Sequence, residues 1–147
     1  MAHSRTPIVS VLLPAFNANR TIAEALDTIF AQTFSDLQIV VVDDGSTDET
    51  ARTVAAKATL DPRIELETIP HVGLVGALNR GLIRCRGQYV ARFDADDRAS
   101  SKRIEKQVAY LDTHEDIDAV GCQVRCFPRD QVAEGFRIYE TWINSLI

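Results

Sequence analysis

The chain has 147 residues, of which 46% are hydrophobic and 25% charged, with 21 acidic against 16 basic side chains and a formal net charge of −5. This composition is typical of one soluble globular domain and excludes a disordered chain. The acidic balance argues against nucleic acid as a partner, because phosphate binding needs a basic surface. Residues 1–7 lack a signal-peptide core, and no apolar run approaches the ~20 residues of a transmembrane segment. Three cysteines and three histidines are too few for a disulfide scaffold or a structural zinc site, which favours reduced thiols in a cytoplasmic protein, with peripheral contact at the inner membrane face left open.

Strand and helix signals alternate along the chain. Strands are predicted at 8–13, closed by Pro14, and then at 37–42, 64–69, 88–93 and 117–127. The helices between them are marked by capping-box sequences at Thr21–Glu24 and Ser46–Glu49, and by apolar spacing at Leu74, Leu78 and Leu82 and at Ile104, Val108 and Leu111. This order predicts an α/β fold, a mostly parallel sheet with helices on both faces.

The last predicted helix has an apolar face. Its members are Phe136, Tyr139, Trp142, Ile143 and Leu146. An apolar face of this size is expected to pack on something. The sequence leaves three alternatives open: the helix folds back on the sheet, it meets a further part of a longer protein, or it joins two copies of the chain in a homo-oligomer.

Four polar or unusual clusters follow the predicted strands. They lie at 14–17, 43–46, 71–73 and 94–97. Because the carboxyl ends of parallel strands share one edge of the sheet, where open α/β sheets bind ligands, the four clusters are expected to form one site.

The segment 94–97 places three carboxylates in four residues, at Asp94, Asp96 and Asp97. Charges this close repel one another unless a cation or solvent separates them. Mg²⁺ and Mn²⁺ take one or two protein carboxylates and complete their shells with water and phosphate oxygens. The segment therefore predicts a divalent-cation site, the alternative being a solvated acidic turn that caps the next helix.

The second strand ends in Asp43 and Asp44. A turn accounts for the following Gly45 and Ser46, but it does not account for two adjacent acids after an apolar strand. A carboxylate here can accept a hydrogen bond from the N–H of a uracil or guanine ring, and Phe16 offers a face on which a planar ring can stack. We therefore predict that Asp44 and Phe16 bind a ligand, with Phe16 as a core residue the alternative.

Together these segments resemble the family 2 glycosyltransferases of the GT-A fold. The resemblance rests on four stretches in the same order as in that family, namely Val9–Asn17, Val42–Asp48, Gly73–Gly81 and Gly87–Asp97. It implies that Pro14, Ala15, Phe16, Asn17 and Asp44 hold the nucleoside of a nucleotide-sugar donor, a UDP-sugar by family likeness. It also implies that Asp94, Ala95 and Asp96 form a DxD motif, with Asp96 the direct ligand of Mn²⁺ or Mg²⁺, Asp94 nearer the sugar or ribose, and Asp97 supporting the metal.

The resemblance further implies inverting transfer of a sugar to the hydroxyl of a saccharide or lipid-linked acceptor. Such a reaction needs a carboxylate base, which we expect beyond Ile147. Within the chain, no motif assigns this role to Glu134 or Glu140. The implied organisation is a tail at 1–7, a nucleotide-sugar-binding domain at 8–127 and the start of an acceptor-side region at 128–147. His71 either contacts the donor phosphates or is an ordinary loop residue, and Glu24 is assigned to the capping box.

Other classes fit the sequence less well. A dinucleotide-binding domain would carry a glycine-rich turn after its first strand, where this chain has Pro14–Asn17, and a P-loop is absent. Two alternatives remain: a non-catalytic module that binds nucleotide sugars, and an enzyme resembling the sugar-1-phosphate nucleotidyltransferases.

Overall fold

A computed structural model of the chain describes residues 6–146, so most of the predicted tail lies outside the described residues. The elements, in chain order, are β1 (Val9–Ala15), α1 (Ile22–Phe30), β2 (Leu37–Asp43), α2 (Thr50–Ala58), β3 (Ile64–Thr68), α3 (Gly73–Leu82), β4 (Tyr89–Arg92), α4 (Arg103–Thr113) and α5 (Glu134–Asn144). No helix within residues 6–146 combines the length and apolar character that crossing a bilayer demands.

The strands form one parallel sheet, as predicted, and their order in it is β3-β2-β1-β4. The chain moves from β1 through β2 to β3 in one direction and then crosses back to β4 beside β1. Because parallel crossovers are right-handed, α1 and α2 cover one face and α3 covers the other. Every residue of β1 and β2 is buried, which explains why the central strands are apolar on both faces.

The third helix packs through its small residues and through Leu78, but not through the other two leucines of the predicted stripe. Leu74 and Leu82 are about half exposed, whereas Ala77 and Gly81 are buried. A β-carbon on Gly81 would come within 2.2 Å of the Leu12 side chain, so this position requires glycine. The close approach of α3 to the sheet selects small residues at the contact, with Leu78 beside them and Leu74 and Leu82 turned toward solvent.

Neither predicted capping box forms. Thr21 is the N-cap of α1 but makes no side-chain bond to the helix backbone, and Glu24 pairs with Arg98 instead. The second helix begins only at Thr50, where Asp48 accepts the Thr50 N–H. Strand β1 also runs through Pro14, which β1 tolerates because its pairing with β4 ends at Leu12.

The chain divides into two compact units, one ending at Glu105 and the other beginning at Lys106. In the second unit, the strand predicted at 117–127 is wrong, because the chain is irregular there. Its backbone bonds to side chains of α5: Asn144 bonds both the N–H and the C=O of Val124, and Glu140 accepts the Cys126 N–H. These three backbone groups of Val124 and Cys126 are therefore not available to a strand partner.

Helix α5 has no buried residue. Four of its large apolar side chains are half exposed or more, namely Phe136 (64%), Ile138 (64%), Tyr139 (50%) and Trp142 (55%), whereas Ile143 is partly buried. Most of the apolar face predicted for this helix is therefore open to solvent.

Candidate functional site

The carboxyl ends of β1, β2 and β3 lie side by side. Ala15 is paired with Asp43, and Asp43 with Thr68. Strand β4 stops earlier, opposite Leu12, so beyond this point β1 has a strand neighbour on one side only. The order of the strands reverses at β1, and the crevice at such a switch point is where doubly wound sheets bind ligands.

Asp44 is a buried carboxylate held by backbone amides at this edge. One oxygen, Oδ1, accepts the Val72 N–H at 2.8 Å, and the other, Oδ2, accepts the Gly73 N–H at 2.9 Å. The Asp44 N–H donates to the Ala15 carbonyl at 2.8 Å. With its side chain 4% exposed, Asp44 joins β1, β2 and the start of α3 at one point.

Phe16 and His71 form a stacked pair beside Asp44. Their ring centroids are 4.2 Å apart with an interplanar angle of 25°. Phe16 is 48% exposed, so it is a surface aromatic side chain and not a core residue. The Nδ1 of His71 lies 3.1 Å from the Asp44 carbonyl oxygen and 2.9 Å from Asp44 Oδ2.

Asn17 joins the first cluster to the second. Its backbone has a positive φ of 49°, its N–H donates to the Ser46 hydroxyl at 2.9 Å, and its side-chain oxygen accepts the Thr47 N–H at 2.9 Å. Gly45 has a φ of 71°, and a β-carbon on it would lie 2.8 Å from the backbone nitrogen of His71. The turn after β2 therefore needs glycine both for its backbone angle and for the approach of the His71 backbone.

The acidic segment after β4 is open by comparison. Arg92 donates to both oxygens of Asp94, at 2.9 and 3.1 Å. Asp96 is exposed and makes no hydrogen bond or ion pair to any residue in the described part of the chain. Partial desolvation, followed by the negative charges of Asp94 and Asp96, raises the pKa of Asp97 above its usual range.

These residues fit a divalent cation that is held partly by the protein and partly by the phosphates of a bound nucleotide. Among residues 6–146, no three His, Cys, Asp or Glu side chains are arranged to hold a metal ion, so the predicted trio Asp94, Asp96 and Asp97 is not gathered around one point. Mg²⁺ and Mn²⁺ need only one or two carboxylates when phosphate oxygens and water complete the shell. Such a cation would give the carboxylate of Asp96 a partner and would offset the repulsion of Asp97 by Asp94 and Asp96.

Glu140, in the second unit, is poorly suited to act as a base. Glu140 accepts the Cys126 N–H at 2.8 Å and the Arg129 guanidinium at 2.7 Å. These contacts, the Cys126 N–H above all, lower the pKa of Glu140, and a carboxylate with a lowered pKa is a weaker proton acceptor. Glu134 is exposed in the first turn of α5.

Sequence reasoning missed three features of this edge. The backbone amides of Val72 and Gly73 hold Asp44, and only the glycine, with its φ of 82°, left a signal in the sequence. Arg92 holds Asp94 from within the strand. Asp43 is fully buried, and its two carboxylate oxygens have no hydrogen-bond partner among the described residues.

Comparison with known proteins matches residues 10–142 to the model of glycosyl transferase family 2. An uncharacterized glycosyltransferase of Haemophilus influenzae is 35% identical over 145 residues, which are 96% of this chain and 45% of that protein. The mannosyltransferase PcManGT of Pyrobaculum calidifontis, solved with GDP-Man and Mn²⁺, has a TM-score of 0.65 and 32% identity over 74% of this chain and 33% of that one. TarS 1-349 of S. aureus, solved with UDP-GlcNAc, has a TM-score of 0.69 and 27% identity over 82% of this chain and 37% of that one. The chain thus spans less than half the length of these proteins.

Proposed function

The chain belongs to glycosyl transferase family 2, and we propose that its carboxyl edge binds the nucleotide-sugar donor of a divalent-cation-dependent, inverting sugar transfer. The observation that carries this proposal is the pairing of two different acidic sites at one edge of the sheet. Asp44 is buried and fixed by amides beside an exposed aromatic ring, whereas Asp94–Asp97 is open and strained by like charge.

Asp44 and Phe16 are suited to a nucleobase. A fixed carboxylate accepts the ring N–H of uracil or guanine, and base stacking on an aromatic side chain is worth ~1–3 kcal/mol. Pro14, Ala15 and Asn17 would border this subsite, since the Ala15 carbonyl accepts the Asp44 N–H and Asn17 ties the end of β1 to the turn after β2. The solved relatives were determined with UDP-GlcNAc and with GDP-Man, which are both nucleotides whose bases carry such an N–H.

Asp96 is suited to hold the cation, with Asp94 and Ala95 next to the sugar or ribose. A bound divalent cation neutralises the charge that builds on the departing diphosphate. Asp96, with support from Asp97, would hold that cation, and Arg92 would keep Asp94 oriented. Inversion requires a base on the opposite face of the sugar, which would take the proton of a saccharide or lipid-linked acceptor hydroxyl.

Calorimetric titration of the purified chain with nucleotide sugars in Mn²⁺ tests this function. UDP-GlcNAc or GDP-Man should bind, and Asp96→Asn should weaken that binding. Asp116→Asn removes the same charge at an exposed position outside the site and should leave binding unchanged. If none of the nucleotide sugars binds, or if the two variants behave alike, the proposed function is wrong.

A further inference from the structure

The Phe16–His71–Asp44 contact has the geometry expected of a bound nucleobase. A nucleobase in this subsite would be a planar ring stacked on Phe16, with a ring N–H directed at Asp44. The imidazole of His71 is a planar ring stacked on Phe16, and its Nδ1 faces two oxygens of Asp44. The chain therefore supplies from its own sequence the contacts that the ligand would make.

The proton on this imidazole is fixed by its partners. Both atoms that face Nδ1, the Asp44 carbonyl oxygen and Oδ2, are acceptors only. Nδ1 must therefore carry the hydrogen, because a bare nitrogen would set its lone pair against two oxygens. His71 thus acts as an N–H donor toward Asp44, which is the role assigned to uracil or guanine.

Access to Asp44 depends on this one side chain. The Asp44 side chain is 4% exposed, so no ligand reaches it without displacing a neighbour. Two of its three donors are the backbone amides of Val72 and Gly73, which are fixed at the start of α3. The third donor is the His71 side chain, which is 55% exposed and can rotate toward solvent.

We propose that His71 occupies the nucleobase subsite of the free protein and that a nucleobase with a ring N–H binds by displacing it. This inference rests on the proposed function and adds a competitor within the chain. When a site is closed for part of the time, the apparent dissociation constant rises in inverse proportion to the open fraction. An imidazole docked for about 80–90% of the time would weaken nucleotide binding about 5- to 10-fold.

Titration with UDP in Mn²⁺ distinguishes a His71 that competes with the nucleobase from a His71 that lines the subsite and helps to bind it. His71→Ala should bind UDP about 5- to 10-fold more tightly than the unaltered chain does. His114→Ala is the matched control, because His114 also stacks on an aromatic ring, Tyr110, at 4.0 Å, and should leave the affinity unchanged. CDP, which has the same sugar and phosphates but no ring N–H, should bind weakly to both His71 forms.

Imidazole NMR signals of the unaltered chain give a second readout that does not depend on a variant. Saturation with UDP should move the His71 signals out of the ring-current field of Phe16 and leave those of His114 in place. If UDP binds while the His71 signals stay unmoved, or if His71→Ala binds UDP more weakly, His71 is a wall of the subsite and this inference is overturned. If UDP binds neither form, the proposed function fails with it.

Discussion

Asp44 and the Asp94–Asp97 segment both follow strands of the same sheet, yet they hold their carboxylates in opposite ways. We call Phe16, Asp44 and His71 the base corner, and residues 94–97 the acidic corner. In the base corner two backbone amides satisfy a buried carboxylate. In the acidic corner Asp96 is exposed and the pKa of Asp97 is raised.

The difference teaches which part of the site is complete without a ligand. Backbone donors cost no reorganisation when a nucleobase arrives, because their positions are fixed by the strand ends and by the start of α3. Carboxylates that repel one another gain only when a cation arrives, since the cation replaces repulsion with attraction. The base corner is therefore organised by the fold, and the acidic corner is organised by what binds there.

Chelation gives the largest expected effect and separates the two corners directly. With EDTA in place of Mn²⁺, the affinity for UDP should fall by roughly 4 kcal/mol, on the order of 1000-fold, because diphosphate then meets uncompensated carboxylates. The affinity for uridine, which has no phosphate, should change less than about twofold, within roughly 0.4 kcal/mol. Calorimetry of both ligands with and without chelator is the measurement, and equal affinities for UDP in the two buffers would contradict the division.

Asp44→Ala should act on both ligands alike. The variant removes a charge-assisted hydrogen bond worth ~1.5–3 kcal/mol, or about 10- to 150-fold in affinity, for UDP and for uridine. It also leaves the Val72 and Gly73 amides without an acceptor, so the free energy of unfolding should fall by about 1–3 kcal/mol. Asp116→Ala serves as the control. A folded Asp44→Ala chain with unchanged affinity would make Asp44 a structural turn residue.

The sequence predicted the strand that leads to the base corner, but not the contacts made at its end. The run Ile39–Val42 predicted a central strand correctly, because a strand buried on both faces needs an unbroken apolar run. Ser46 was assigned to a helix cap, but its hydroxyl accepts the N–H of Asn17, 29 residues away. Local patterns contain no information on such long-range bonds. For the same reason the sequence could not show that His71 stacks on Phe16.

Helix packing was predicted only in part for a related reason. Of the leucines with helical spacing, Leu78 packs against the core, but Leu74 and Leu82 are exposed, and the closest contact with the sheet is made through Ala77 and Gly81. Apolar periodicity finds large side chains, whereas the distance between helix and sheet is set by the small ones. The strand predicted at 117–127 failed because its backbone partners are the side chains of Asn144 and Glu140, which a strand pattern does not reveal.

Within the acidic corner, Asp96→Asn should weaken Mn²⁺-dependent binding of UDP more than Asp97→Asn does. Asp96 is exposed and has no hydrogen bond or ion pair among the described residues, so it is free to coordinate directly. A lost ligand contact of this kind costs about 1–3 kcal/mol, and we expect a difference of roughly 1 kcal/mol between the two variants. Titration of both variants with UDP in Mn²⁺ measures it. The reverse order would move the coordinating role to Asp97.

The smallest expected effect is on stability, and it has opposite signs in the two corners. In chelator near neutral pH, Asp97→Asn should raise the free energy of unfolding by a few tenths of a kcal/mol, about 0.5 at most, because it removes a charge that is partly desolvated and repelled by Asp94 and Asp96. Asp44→Asn should lower that free energy, since the Val72 and Gly73 N–H groups are accepted by different carboxylate oxygens, and the amide has one acceptor oxygen and sets its NH2 group against the other N–H. Urea unfolding of both variants beside Asp116→Asn gives the measurement.

Added salt should shrink the gain at Asp97, because screening weakens repulsion between exposed charges, and should leave the loss at buried Asp44 nearly unchanged. A loss of stability in Asp97→Asn would mean that the fold organises the acidic corner as well, and the comparison between the two corners would then be wrong.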